Sequence, residues 1–519
     1  MFRSMSTRHV AKFANTRCAW RPNLVNSCLV KSFSSDIRRH QKETDVDGDL
    51  ENGRKWSTPL AKQLFAAIST TGPVPLASYM RMCLTGDIGG YYTGAIGEGR
   101  DQFGTKGDFV TSPEISQIFG ELVGIWFIAE WISQGRPKQG VQIIEVGPGR
   151  GTLMDDMLRT IQRFPAMANS IDAVYMVEAS RELRTAQKEL LCGPDALSSE
   201  SKSGLHSPNK YNGKQIVWTD TIKSIPYANI IMESDKMPFI IAHEFFDALP
   251  IHSFQSAPAP PPLPKPSSPT SAPQPQSENT KPTMEWREMM VSPTPPGVTH
   301  AQLGTPKSAQ YEPPPEFQLT LSSTTTRHSR FLPETSTRYR KLKNIPNSNI
   351  EICPDASIFA TDFATRIGGS DQHPKPRPSG AALILDYGTS DTVPINSLRG
   401  IRHHRRVNPF TAPGLVDLSA DVDFTAIAEV AMSASEGVEV HGPVNQGDFL
   451  EVMGIRERAE QLTRALGVEK DTVDKIDGAW KRLVDKGPDG MGKLYKALAI
   501  LPENDGRRRP VGFGGDVLG

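Results

Sequence analysis

The stretch Ile143–Leu158, IIEVGPGRGTLMDDML, passes from an apolar segment through three alternating glycines into a run with helical spacing. An apolar run of this length followed by glycines and a periodic segment reads as strand, turn and helix. Gly147, Gly149 and Gly151 suit a turn that needs backbone conformations closed to other residues, and that lets a ligand approach the chain without a β-carbon in the way. The dinucleotide fingerprint would need Gly or Ala at position 152 or 154, which are Thr152 and Met154, and no Lys-Ser/Thr pair follows the glycines as in a phosphate-cradling loop. Nicotinamide, flavin and nucleoside triphosphate ligands are therefore disfavoured.

Two acids narrow the choice. Glu145 precedes the glycines and Glu178 ends the next apolar run, AVYMVEAS. A carboxylate at the tip of a second strand accepts ribose hydroxyls, and a glycine-backed turn lets an adenosyl group lie against the carboxyl edge of a sheet. The ligand that fits is S-adenosyl-L-methionine, with a bland strand-to-helix turn as the alternative.

Outward from this turn, VQIIEVG, AVYMVEAS, QIVWT and PFIIAHEFF read as strands, and RGTLMDDMLRTIQRF and RELRTAQKELL as helices. Strands alternating with helices imply parallel βαβ units and a doubly wound α/β sheet. Upstream, TPLAKQLFAAIST places Leu60, Leu64 and Ile68 on one helical face, with Pro59 at its start. TSPEISQIFGELVGIWFIAEWI predicts one long buried helix capped by Ser112. The glycine-rich stretch 86–109 reads as an ordered loop. IHSFQ and MEWREMMV read as strands flanking a proline-rich tract, residues 256–282, expected to be a disordered, distended hairpin loop; a domain linker or an SH3-type ligand are the other readings.

The chain has 519 residues with 58 Lys+Arg against 58 Asp+Glu, so no global basic field supports general nucleic-acid binding. No run approaches the roughly 18 apolar residues of a membrane span. Cys18, Cys28, Cys83, Cys192 and Cys353 are scattered and no His/Cys cluster has zinc-like spacing, so no metal site is expected. The first 35 residues carry Arg3, Arg8, Lys12, Arg17, Arg21 and Lys31, many hydroxyls and no acid, without a continuous apolar core. This is the chemistry of a mitochondrial transit peptide, residues 1–40, with cleavage expected near Ser34.

The segment IIAHEFFDALPIH runs from a buried strand into His243, Glu244 and Asp247. If a helix begins there, Glu244 and Asp247 share a face and can grip a guanidinium; alternatively they cap that helix. His243 reads as a structural histidine. Arg399, Arg402, Arg405 and Arg406 beside His403 and His404 read as a solvated basic face.

GDFVTSPEISQIFGELVGIW, EVGPGRGTL, AHEFFDALPIH, ILDYG, PGLVDLSADVDF and MGKLYKALAI occur in this order, and together closely resemble the MidA family of mitochondrial arginine methyltransferases and related bacterial proteins. The resemblance covers roughly residues 55–502, leaving 503–519 as a tail. It implies a seven-strand class I S-adenosylmethionine-dependent methyltransferase core (a Rossmann-like doubly wound sheet) with an added substrate lobe. It implies symmetric dimethylation of an arginine on the matrix-arm subunit of respiratory complex I near the quinone site, in the mitochondrial matrix, serving complex I assembly. By motif it makes Gly147, Gly149, Gly151 and Glu178 cofactor residues, and has Thr111, Ser112 and Glu114 close over the cofactor. RHHRRVNPF departs from the pattern, with His403 and Asn408 where such relatives often carry aspartate. A methyltransferase fold serving as a non-catalytic complex I assembly chaperone, and a small-molecule methyltransferase, are the competing readings.

Overall fold

A computed structural model describes residues 54–94, 107–227, 236–260, 283–303, 313–465 and 469–514. The transit-peptide segment, part of the 86–109 loop and most of the proline tract lie outside these residues. The unit from Lys55 to Gly519 is built on one large sheet.

Seven strands make its centre: β1 Val141–Val146, β2 Ile171–Val177, β3 Gln215–Thr219, β4 Met237–His243, β5 Ala381–Thr389, β6 Val438–Asn445 and β7 Tyr495–Pro502. Their order is β6-β7-β5-β4-β1-β2-β3. β1 to β5 are mutually parallel, whereas β7 lies antiparallel between β5 and β6. A hairpin at Ser199–Ser201 and Gly204–Pro208 extends the β3 edge. This is the expected seven-strand methyltransferase core.

Burial on both faces explains why β1 and β4 are mostly apolar, with every residue of both strands buried, Gln142, Glu145 and His243 included. Alternate residues feed two cores: Ile143, Val174, Phe239, Ile241, Leu383 and Ala499 on one side, Ile144, Val146, Ile240, Ala242, Ile384 and Ile500 on the other. The chain steps from β1 outward to β2 and β3, then returns beside β1 as β4 and proceeds the other way to β5. That reversal between β1 and β4 opens a crevice at the strands' carboxyl ends, where such sheets hold ligands.

The expected long helix is two. α1, Ser112–Ile115, is a single turn closed by a capping box between Thr111 and Glu114, and α2, Gln117–Ser133, restarts with Ser116 as its N-cap. Each hydroxyl residue satisfies a helix start of its own, so the cap falls on Thr111 and Ser116 rather than Ser112. α3, Thr152–Ile161, follows the glycine turn, and α4, Arg181–Cys192, follows β2.

The added lobe, expected to serve substrate, contains an antiparallel sheet in which His252–Pro258 pairs with Met284–Pro293 and Asn349–Ile352. Strand structure thus continues to Pro258, two residues past the point where disorder was expected to begin, because Ala257 and Pro258 pair with Glu285 and Met284. The supposed tail also packs: Phe513 is buried against Phe449 and Trp126, and Trp126 Nε1 donates to the Val511 carbonyl at 3.1 Å. Its aromatic residue gives it apolar area to bury, which its charged RRR start concealed.

Candidate functional site

At the β1/β4 switch point lies a cavity of about 850 Å³. The glycine turn forms one wall. Gly147, Gly149 and Gly151 all have positive φ, at 66°, 53° and 80°. A β-carbon on Gly147 would stand 2.5 Å from the Phe245 ring, so this position admits no side chain. Gly147 and Gly149 line the cavity with Pro148 and Arg150. Gly151 instead caps α3 and faces Gln187.

Glu145 and Glu178 lie on the same cavity. Glu178 accepts from the Ser180 amide at 2.8 Å and from Gln187 Nε2 at 3.3 Å. Burial nevertheless raises its pKa to about 7. Burial and then the Glu178 charge push Glu145 well above the usual carboxylate range, and its Oε2 is buried with no hydrogen-bond partner among the described residues.

Opposite, the chain leaving β4 makes a turn, not a helix, which removes the helix-cap reading of Glu244 and Asp247. Asp386, in β5 just past its pairing with β4, holds this turn: its Oδ2 accepts the amides of Phe245 at 3.0 Å, Phe246 at 2.8 Å and Asp247 at 3.4 Å. Glu244 is consequently held at φ 48°, a conformation costly for a residue with a β-carbon. Its Oε1 accepts the Ser112 amide at 3.3 Å. Burial, then the charges of Asp247 and Asp386, push Glu244 well above its ordinary pKa. Asp247 is also raised by burial, against the Tyr387 hydroxyl and Arg399, and its Oδ1 is buried without a partner among the described residues. Both acids line the cavity.

His243 packs tilted on Phe119, with ring centroids 5.0 Å apart. Its Nε2 is 3.2 Å from Glu244 Oε1 without hydrogen-bonding geometry. Burial lowers its pKa to about 3, so the ring is neutral and the contact is not an ion pair.

Of the α1 residues, Thr111 and Glu114 line the cavity, and Glu114 Oε1 approaches Arg150 of the glycine turn at 3.7 Å. Ser112 stays behind the wall, acting through its amide on Glu244.

Sequence reasoning missed the rest of the wall. Tyr387, Tyr495, Arg399, Asp417 and Asp421 also face the cavity. Arg399 is not the solvated residue its basic neighbourhood suggested: it bonds Asp421 at 2.6 Å and stacks 4.2 Å over Tyr387. The turn between its strand and the next uses His403 and His404 at positive φ, sending Arg406 back to the cavity rim. The available signal was position: ILDYG ends a parallel strand, so Asp386 and Tyr387 had to emerge at the same edge as the glycines.

Residues 122–444 match the family described as "Putative S-adenosyl-L-methionine-dependent methyltransferase". The relative "Protein arginine methyltransferase NDUFAF7, mitochondrial" of Xenopus tropicalis is 31% identical, with 92% of this chain and 91% of the relative covered. The Drosophila melanogaster homolog of the same name is 33% identical over 85% of each chain. A Burkholderia thailandensis crystal structure bound to S-adenosyl-homocysteine shares the fold, at TM-score 0.58 and 21% identity, covering 87% of this chain and 93% of that one. These matches bear out the family resemblance carried by the motif blocks. The chain belongs to the S-adenosyl-L-methionine-dependent methyltransferase family, and the crevice between β1 and β4 is where such a fold places its chemistry.

Proposed function

We propose that the chain is a type II protein arginine methyltransferase of the mitochondrial matrix, forming symmetric dimethylarginine on the complex I matrix-arm subunit near the quinone site and so serving complex I assembly. The observation that carries the arginine reading is the pair of acids lining the cavity across from the glycine turn, Asp247 buried and Glu244 nearly so. The names of the relatives as mitochondrial protein arginine methyltransferases support it.

The residues suit S-adenosyl-L-methionine. The partnerless Glu145 Oε2 and the β-carbon-free approach at Gly147 are features a ligand completes. Glu145, Gly147, Gly149 and Glu178 would hold it, with Gly151 shaping the turn and Thr111, Ser112 and Glu114 closing beside it. When bound, the cofactor supplies an electrophilic methyl on a sulfonium.

The chain's own residues supply placement. Glu244 and Asp247 receive guanidinium N–H groups, with Asp247 Oδ1 free to accept, and orient one nitrogen toward the glycine turn. An arriving cation also returns these acids to their ionised forms, so the charge pair forms inside a dry site where it is strong. Tyr387 and Tyr495 exclude water around it.

Mass spectrometry of arginine methylation on that complex I subunit, in cells with wild-type or Gly149→Val protein, tests the reading. A valine at φ 53° is strained and crowds the turn. Methylation should vanish while the protein remains abundant. Unchanged methylation would favour the non-catalytic assembly chaperone.

A further inference from the structure

Away from the methyl-transfer cavity, three side chains from three separate segments of the substrate lobe converge. His252 begins the strand His252–Pro258, Glu288 sits within Met284–Pro293, and His328 lies in the helix Arg327–Phe331. Their ligand-type atoms all lie within 4.8 Å of one another. His252 Nδ1 stands 2.7 Å from Glu288 Oε1 and His328 Nδ1 3.4 Å from that same oxygen. None of the three lines the methyl-transfer cavity.

We propose that His252, Glu288 and His328 form a binding site for a divalent transition metal of the zinc class. A buried carboxylate needs only one histidine to be satisfied, yet here two imidazole Nδ1 atoms aim at one oxygen. Bonds of roughly 2.0–2.1 Å in a tetrahedral site would set its ligand atoms roughly 3.4 Å apart; the His328–Glu288 pair already has that separation, the His252–Glu288 pair at 2.7 Å would open slightly, and all three atoms lie within 4.8 Å. Two imidazoles and one carboxylate match zinc and its neighbours, whereas magnesium and calcium take oxygen ligands.

The surroundings hold the carboxylate as such sites require. Thr326 donates its hydroxyl to Glu288 Oε2, and Ser322 Oγ accepts the Glu288 amide at 3.1 Å. His252 and Glu288 are buried, while the His328 side chain is 42% exposed, which gives the ion a path and leaves a fourth position to water. Bound there, the ion would fasten both strands of the hairpin and the helix after it into one unit. The spacing of 36 residues between His252 and Glu288 hid this set from any local motif.

The full-length protein, stripped with a chelator and titrated with zinc chloride by calorimetry, should bind one equivalent at this site, with a Tm that rises with zinc concentration. Cobalt(II) should give the visible absorption of a tetrahedral N/O site. His328→Ala, which alters a partly exposed side chain, should weaken zinc binding at least about tenfold while leaving S-adenosyl-homocysteine binding unchanged. His252→Asn should do the same. No zinc binding by wild type, equal competition by magnesium, or unaltered binding in both variants would overturn the proposal.

Discussion

Glu244 is where the candidate site concentrates its cost. It combines a left-handed backbone, a nearly buried side chain and two neighbouring carboxylates, an arrangement sustained by the three amide bonds to Asp386 together with the Glu244 amide to the Leu385 carbonyl and the Ser112 amide to Glu244 Oε1. Strain and like charge gathered at one cavity wall are what a cation-binding group requires in its ligand-free form. Glu244→Gln keeps the shape and the acceptor for the Ser112 amide but removes the charge an arginine would meet. Methyl transfer to a peptide arginine should fall about 100-fold in kcat, with S-adenosyl-homocysteine affinity within about twofold of wild type. Single-turnover kinetics and calorimetry separate the two, and full activity in the variant would remove Glu244 from the mechanism.

Among the elements, α1 is the piece that joins the two halves of the site. Its capping box fixes Glu114, whose carboxylate lies beside Arg150 of the glycine turn, while its Ser112 amide reaches Glu244. Glu114→Ala breaks the box and the link to the turn. Because one such link contributes about 0.5–1.5 kcal/mol, S-adenosyl-homocysteine should bind roughly 3- to 10-fold more weakly, with kcat nearly unchanged and Tm little moved. A loss of kcat without a loss of affinity would mean that α1 serves the acids and not the cofactor. The core elements were legible because their pattern is local: VQIIEV and PFIIAH are short, largely apolar runs, and the glycines must sit at a strand end. The break at Ser116 was not, since SPEISQIF keeps helical spacing across it and the two hydroxyl caps, Thr111 and Ser116, are close enough in sequence to look like one. The turn after β4 was misread for the opposite reason: the amides of Phe245, Phe246 and Asp247 are satisfied by Asp386, about 140 residues later, so nothing nearby marks a non-helical backbone. Arg399 was misread likewise, because Tyr387 and Asp421, which cover it, come from other segments.

Over the whole molecule, the buried acids make stability depend on pH in an unusual sense. Burial raises the folded-state pKa of Glu178, Asp156 and Asp417 to about 7, and pushes Glu145, Glu244 and Asp386 well above the carboxylate range. An acid whose pKa is higher folded than unfolded binds more protons in the native state, so its contribution is full below the unfolded value and is lost as pH rises toward the folded one. His243 works the other way. Its pKa falls from 6.5 to about 3, so its contribution is present above pH 6.5 and lost as pH falls toward 3. Below pH 6.5 the two effects oppose each other; above it His243 is neutral in both states and only the acids act. The ligand-free protein should therefore lose Tm between pH 6.5 and about pH 8, on the order of 3 °C. Saturating S-adenosyl-homocysteine should flatten that slope, since ribose hydroxyls donating to Glu178 favour its ionised form, and its binding should release protons near pH 7. Calorimetry in buffers of different ionisation enthalpy measures that release directly. A Tm that climbs steadily to about pH 8, with no proton released on binding, would mean that Glu178 is already ionised in the free protein and that the crevice is wetter than its burial implies.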